Sequence, residues 1–485
     1  MSEGGLQKKV FSGLFWKFGE RIGAQAVSFL VSMILARLLM PSDYGVIALI
    51  TIFIDIANVF VSSGFGSALV QKKDADEVDF SSVFYFSIGM SWVLYGIVFL
   101  AAPAIAGFYG KDILIPVLRV MALKLPLAGV NSVQQAYVQK NMLFKRFFFS
   151  TLIGTVGSAV VGIAMAYLGF GPWALVAQYL FNSTVDTLVL WVTVKWRPVL
   201  AFSAERMKTL FSFGWKMLCS ELIHTSYGQI RSLIIGKVYT DKDLAFYNQG
   251  GKLPGILVTN INSSVSSVLF PAMTQKQDNE EKLKEMVRLS IRISSYIMWP
   301  LMTGLLVVSE PVVKLIFTDK WLSCVPYMQI ACIQFALEPV QTANVQAVKA
   351  MGKGRTFLIM EIVKKAFGIV MIVAVMYQGV MAIALTAMVV TFFAALVNST
   401  PNRKYLGYTY REQLADLLPS VCLAAVMGVF VYLVSCLPVA LVPRLCIQVV
   451  AGIASYVLLS VIFRVSQFEY IVRTAKSLIQ TVRNR

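Results

Sequence analysis

The sequence predicts an all-α polytopic membrane protein of about fourteen transmembrane helices, built as two six-helix lobes related by a parallel repeat plus two extra C-terminal helices. Three observations carry this. Of the 485 residues 57% are hydrophobic and only 14% charged, with a mean hydropathy of +0.71, where an ordinary soluble protein carries roughly 25% charged residues. Apolar runs of the ~20 residues that a spanning helix needs recur along the whole chain. Short motifs return after an interval close to 200 residues. A soluble multidomain enzyme is excluded, and the spans leave nothing for a sizeable extramembrane domain.

Polar, Gly and Pro punctuation places the spans near 10–38, 43–69, 80–108, 113–138, 145–168, 171–194, 208–236, 243–272, 288–309, 322–348, 356–376, 379–400, 413–436 and 443–465. Polar residues interrupt the spans starting near 113 and 322. The first run contains Lys17, Glu20 and Arg21 and no small-residue cleavage site, so it reads as a retained helix and not a signal peptide. The predicted organisation is an N-lobe over 1–200, a C-lobe over 201–405, the two extra helices over 406–465 and a tail over 466–485.

The formal charge of +18 is first a statement about topology, not about nucleic acid. With the N-terminus on one side, the even-numbered connections and both tails carry 26 Lys and Arg, and the opposite connections carry 7. The bias puts both termini in the cytoplasm of a cell whose plasma membrane the chain crosses. The tail repeats Phe468, Ile471, Val472, Ala475, Leu478, Ile479 and Val482 at helical spacing, with Arg473, Lys476 and Arg483 between them. That is the pattern of an interfacial amphipathic helix drawn to anionic lipid, with a protein partner as the alternative.

The repeat is read from several short matches. Gln71-Lys72-Lys73-Asp74-Ala75-Asp76-Glu77 returns as Gln275-Lys276-Gln277-Asp278-Asn279-Glu280-Glu281, and Trp16-Lys17 as Trp215-Lys216. Lys140, Met142, Arg146 and Phe148 return as Lys349, Met351, Arg355 and Phe357. Six spans separate the copies, so both keep the same orientation, and transporters commonly bind cargo between two such repeats and rock one against the other.

A charge inside a span costs about 2.5–3.5 kcal/mol and normally faces protein or a wet cavity. The first span carries Lys17, Arg21, Gln25, Ser28 and Ser32 on one face, and the seventh carries Lys216, Ser220, His224, Tyr227 and Arg231 at the same steps. The second adds Asp55, Asn58 and Ser62, the eighth Lys252, Asn262 and Ser266, and the fourth Lys124, Ala128, Asn131 and Gln135 beneath Arg119. Intramembrane bases, Lys17, Arg21, Arg119, Lys124, Lys216, Arg231 and Lys252, exceed the acids Glu20, Asp55, Asp186, Glu221 and Glu338. Such a cavity suits an anionic ligand: ammonium and guanidinium groups pair with phosphate or uronate oxygens, and the amides of Gln25, Asn58, Asn131, Gln135 and Asn262, with His224, match sugar hydroxyls.

Each assignment has a plainer alternative. Lys17, Lys216 and Arg119 lie near helix ends, where snorkelling to headgroups is the competing role. Glu20, Arg21, Glu221 and His224 also suit neutralisation of neighbours in the bundle. Asp55, Glu20 and Glu221 are the candidate coupling or ion-binding groups, and Lys364 and Lys365 follow Glu361 by three and four positions, so a local ion pair is expected there. The six cysteines show no C-x-x-C or Cys/His pattern, so they read as helix-packing residues, and no metal or cofactor is expected. No nucleophile elbow, Walker loop or metalloprotease helix is present. Uphill transport would therefore draw on an ion gradient, the membrane potential or consumption of product.

Phe15-Trp16-Lys17, the linker Ala36-Arg37-Leu38-Leu39-Met40-Pro41-Ser42-Asp43-Tyr44-Gly45, Ala68-Leu69-Val70-Gln71-Lys72-Lys73 and Leu118-Arg119-Val120-Met121-Ala122-Leu123 resemble the polysaccharide transporters of the multidrug/oligosaccharidyl-lipid/polysaccharide (MOP) exporter superfamily. The chain looks most like the lipopolysaccharide, colanic-acid and teichuronic-acid exporter branch, of the Wzx flippase type. The resemblance implies two six-helix lobes, alternating access, and export of an undecaprenyl-diphosphate-linked repeat unit to the outer leaflet of a bacterial inner membrane. It implies membrane lipids, a polysaccharide polymerase and other assembly proteins as partners, no nucleic acid, and a lipid-facing groove formed by 413–465. The competing readings are a drug or cation antiporter of the same fold, for which acids would dominate the cavity, and a membrane glycan polymerase or ligase, for which large outer loops would be needed. A structural partner of a synthesis complex is the remaining alternative.

Overall fold

Helices follow one another along the chain with short connections, as the punctuation requires. The computed structural model describes residue 19 and residues 23–62, 64–72 and 74–483. Among these no strand occurs. Contacts divide the chain into two compact units, Met1–Ala245 and Phe246–Arg485.

The first unit contains α1 (Gly23–Leu38), α2 (Pro41–Ser62), α3 (Phe65–Gln71), α4 (Glu77–Tyr109), α5 (Leu114–Met121), α6 (Lys124–Lys140), α7 (Phe144–Tyr167), α8 (Pro172–Thr193) and α9 (Ala204–Val238). Helix α10 (Asp241–Thr274) leads into the second unit. There follow α11 (Glu280–Val307), α12 (Ser309–Phe317), α13 (Val325–Ala336), α14 (Glu338–Ala350), α15 (Gly354–Val375), α16 (Val380–Leu406), α17 (Tyr410–Ser435), α18 (Leu441–Ile462) and α19 (Ser466–Arg483). Among the described residues nine helices are long and apolar enough to cross a membrane, or ten if α11 and α12, bent by 69°, form one span. Length and apolarity thus establish a multi-pass membrane protein without fixing the number at fourteen. The bend has a local cause: Pro311 lacks an amide hydrogen, and its ring collides with the carbonyl four residues earlier, which ends α11 at Val307.

The packing is that of a protein in lipid. Leu100 and Val192 are about four-fifths exposed, at 78% and 81%, which in water would forfeit roughly 1.5–3 kcal/mol each. Ser81, Ser82, Ser87 and Ser91 line the buried side of α4 instead. Small polar residues between helices let backbones approach, and apolar ones face the hydrocarbon. A cluster of Phe65, Leu69, Phe80, Phe84, Val133, Phe147, Leu190 and Trp196 closes one end of the first unit. Of the cysteines, Cys324 and Cys332 are buried packing residues, and Cys422, Cys436 and Cys446 are exposed.

Similar joints occur near the matched motifs. Asp76 and Asn279 each cap a long helix through a side-chain acceptor. The turn after α6 has Met142 at φ 55, and the turn after α14 has Gly352 at φ 68. Leu143 N and Lys353 N close these turns on Val138 O and Val348 O at 2.9 and 3.2 Å.

The linker after α8 is pinned to α4. Val199 N and Ser203 N donate to Ser81 Oγ and Ser82 Oγ, both at 3.0 Å, and Ser203 caps α9. Helix α9, the first of the second sequence copy, accordingly packs in the first unit against α2, α3 and α4. The tail helix α19 packs Phe468 and Ile471 against the cluster of Leu423, Met427, Tyr456 and Val465. Its apolar stripe is therefore partly spent on protein at its start.

Candidate functional site

Three helices of the first unit enclose a polar cavity of about 190 Å³. Helix α6 supplies Lys124, Ala128, Asn131 and Gln135, the stripe read from sequence; α2 supplies Asn58 and Ser62; and α8 supplies Ser183, Asp186 and Thr187. Steps of three and four residues put each set on one helical face. Asn131 Nδ2 donates to Asp186 Oδ2 at 2.8 Å across the α6–α8 interface. Lys124 Nζ stands 5.8 Å from the Tyr179 ring centroid and is an electrostatic neighbour of Asp55, one turn before Asn58. The Oδ1 atoms of Asn58 and Asn131 are buried without a protein hydrogen-bond partner.

The chemistry on offer is one cation, carboxylates and a surplus of amide and hydroxyl groups. At roughly 30 Å³ per water molecule, the volume equals about six waters. That suits part of one sugar ring, whereas drug-sized sites run to about 300–1,000 Å³.

The other sequence-predicted residues are distributed as follows. Arg231 is half-buried on α9, with Nε and Nη2 inaccessible and unpaired. Lys216, Glu221 and His224 are exposed along the same helix, and Gln25 is half-buried on α1. In the second unit Lys252 is exposed on α10, and Asn262 is half-buried with Oδ1 unpaired. Arg119 is not brought to the cavity: Nε donates to Phe99 O at 3.3 Å and the guanidinium sits 4.2 Å from the Phe99 ring centroid. Lys17, Glu20 and Arg21 lie outside the described residues. Lys364 pairs with Glu361 at 2.5 Å, as its spacing predicts.

Polar groups that sequence reading did not single out complete the picture. Ser183, Asp186 and Thr187 share an i, i+3, i+4 face of α8, a signal present in the sequence but weighed only as one acid among several. In the second unit Asp416 accepts from Arg288 Nε at 2.8 Å, Arg292 Nε at 2.7 Å and Tyr408 Oη at 2.8 Å. Asn344, Ser399, Asn402 and Gln413 form a buried amide–hydroxyl network nearby: Asn344 Nδ2 and Ser399 Oγ donate to Gln413 Oε1 at 3.0 and 2.8 Å.

Helix α9 is held against α2–α4 at both ends. At one end Asp241, just beyond α9, accepts from Lys111 Nζ at 2.6 Å, and the Gly45 backbone lies directly against it. At the other, Gly64, at φ 97, touches Gly214 backbone to backbone, and Arg206 pairs with Asp76 and, at 3.8 Å, with Asp79. The Arg206 guanidinium and the Asp79 amide hold the Asp76 carboxyl down to about 2. Lys72 Nζ also binds Asp79 at 2.7 Å.

A profile for a family described as "polysaccharide biosynthesis protein" matches residues 34–326, more than half of the chain. The chain belongs to the polysaccharide biosynthesis protein family. This polysaccharide biosynthesis protein is 26% identical over 422 residues to the teichuronic acid biosynthesis protein TuaB of Bacillus subtilis, covering 84% of this chain and 85% of that one. It is 24% identical to the succinoglycan biosynthesis transport protein ExoT of Rhizobium meliloti, with 92% and 91% covered. It is 23% identical to the lipopolysaccharide biosynthesis protein WzxC of Escherichia coli, with 87% and 88% covered. Its fold matches that of the lipid II flippase MurJ in an inward closed conformation with a TM-score of 0.73 at 14% identity, covering 93% of this chain and 98% of that one. An inward-facing multidrug resistance MATE transporter of the MOP superfamily matches with a TM-score of 0.64 at 15% identity, covering 80% and 98%. The fold of the family member described here is thus that of MOP-superfamily transporters, as its sequence motifs imply.

Proposed function

We propose that the protein is a flippase, not an enzyme, that carries an undecaprenyl-diphosphate-linked, anionic oligosaccharide repeat unit from the inner to the outer leaflet by alternating access, for cell-surface polysaccharide biosynthesis. The observation that carries the reading is Arg231. Its Nε and Nη2 are buried without a partner, and a buried guanidinium is costly unless an anion accepts from it. A hydrogen bond to a charged group is worth about 1.5–3 kcal/mol, so a diphosphate or uronate oxygen admitted to these nitrogens as the helices move apart in alternating access would gain that much. The charge of Lys124 is offset by Asp186 in the same lining, so the amides of Asn58, Asn131 and Gln135 support a sugar portion of the cargo. The names of the relatives, proteins of teichuronic acid, succinoglycan and lipopolysaccharide biosynthesis, support a glycan cargo, and the fold shared with MurJ supports a lipid-linked one.

The reading includes both termini in the cytoplasm of a bacterial inner membrane, on the charge bias of the connections. It also includes two lobes that follow the sequence repeat, and a polymerase and other assembly proteins as downstream partners. The test is leaflet-resolved transport of a lipid-linked glycan in proteoliposomes, comparing wild type with Arg231→Ala, Lys124→Ala, Arg21→Ala and Lys252→Ala. Losses of tenfold or more with Arg231→Ala and Lys124→Ala are expected. Unchanged transport in all four variants would remove the cationic-site assignment, and export of cationic dyes without glycan transport would favour the antiporter.

A further inference from the structure

A second cavity, of about 550 Å³, opens where the start of α17, the end of α18 and the start of α19 meet α11. Its walls are apolar, with Pro419, Cys422, Leu423 and Val426 on one side and Leu459 and Phe463 on the other; its charged groups are Arg292 and Asp416. It does not merge with the groove on the other side of α17, where Met427 and Val431 face Leu445, Gly452 and Tyr456. On α17 the two linings differ by roughly a third of a turn, at 3.6 residues per turn.

The charge at its mouth is unbalanced. Asp416 is buried, with a side chain 1% exposed, and bonded to two guanidiniums, whereas Arg288 and Arg292 remain 35% and 37% exposed. Two cations against one anion leave a single positive charge beside an apolar slot. Guanidinium presents its donors in a planar fork that matches phosphate oxygens. Arg411 and Arg464 stand at the adjoining helix ends, where basic side chains reach headgroups, and the basic helix α19 starts from the slot's edge at Ser466 and Gln467.

We propose that this cavity is a binding site for an anionic phospholipid of the leaflet on the C-terminal side, separate from any cargo site. The headgroup phosphate pairs with Arg292, and one acyl chain lies along Cys422, Val426, Leu459 and Phe463. The single surplus charge of the Arg288–Arg292–Asp416 cluster matches a phosphodiester monoanion. Because α11, α17, α18 and α19 all border the slot, an occupied site would splint the tail helix to the second unit.

Cys422 is exposed in the slot and supplies a reporter. The full-length protein, carrying Cys219→Ser, Cys436→Ser and Cys446→Ser, would be delipidated in detergent and titrated with phosphatidylglycerol, phosphatidylcholine or undecaprenyl diphosphate. Native mass spectrometry would count bound lipid and maleimide labelling would follow Cys422. Phosphatidylglycerol is expected to be retained and to slow labelling at least fivefold, phosphatidylcholine to do neither, and Arg292→Gln to weaken phosphatidylglycerol binding about tenfold. Cys422→Trp, which fills the slot without touching the Asp416 pairs, should abolish retention even if Arg292→Gln folds poorly. Equal retention of the two phospholipids, or retention unchanged in Cys422→Trp, would overturn the proposal. Stronger protection by undecaprenyl diphosphate than by phosphatidylglycerol would also overturn it and make the slot a cargo entrance.

Discussion

Asn131 on α6 donates its amide hydrogen to Asp186 on α8, 55 positions later, at 2.8 Å, and the pair forms one wall of the polar cavity. The bond orients the Asn131 amide so that its Oδ1 is left unpaired. Replacing Asp186 by Asn keeps the volume and removes the charge that faces the same cavity as Lys124. Transport by Asp186→Asn should fall severalfold with the midpoint of thermal unfolding shifted by only a few degrees. A variant that transports normally would place this cavity off the cargo path.

Gly45 and Asp241 define the tightest contact between α2 and the α9–α10 junction. A Cβ on Gly45 would stand 2.0 Å from the Asp241 carbonyl oxygen, a clash with backbone that no rotamer change relieves. Gly45→Ala should destabilise by about 1–3 kcal/mol, as overpacking does. Gly96→Ala is the matched control, since nothing lies within 4 Å of the added methyl. It should be neutral or stabilise by up to about 1 kcal/mol through helix propensity. Thermal unfolding in detergent separates the two, and equal effects would remove the contact from the account of how α9 is held.

Gln413 joins three partners in the second unit, accepting from Asn344 and Ser399 and donating Nε2 to Tyr408 O at 3.2 Å. Gln413→Leu removes the acceptor shared by Asn344 and Ser399, which keep bonds to Val340 O and Ala395 O, and takes the donor from Tyr408 O, at a cost of about 1–3 kcal/mol. The expected result is a variant that expresses poorly or unfolds well below wild type.

Asp76 and Arg206 give the first unit an acid-sensitive joint. The folded carboxyl, held near 2, lies below the ordinary value of about 3.9, so the pair contributes fully above about pH 4 and is lost as pH falls towards 2. Arg206 and Asp76 are 39% and 50% exposed, so solvent screens them and the effect is small. The gap in unfolding temperature between wild type and Arg206→Ala should close as pH is lowered from 5 to 2. A gap that widens would reverse the sign.

Much of this architecture is written locally. The α6 stripe was legible because four polar or small residues at steps of 4, 3 and 4 stand out against apolar neighbours, and in the fold they line one cavity. The caps at Asp76 and Asn279 were visible as repeated acidic motifs, although their role as caps was not. Arg119 misled because a long side chain near a helix end has a wide reach, and here the Phe99 ring and carbonyl take it.

The sequence by itself determined the class of protein, its multi-pass helical organisation and the family, since hydropathy, spacing and short motifs are properties of neighbouring residues. Only the tertiary structure decided which polar faces meet. Asp186 finds Asn131, Asp416 gathers Arg288, Arg292 and Tyr408, and α9 binds the helices that precede it. Those choices depend on the rotation of each helix about its axis and on backbone approaches such as Gly45 to Asp241, which no local pattern records.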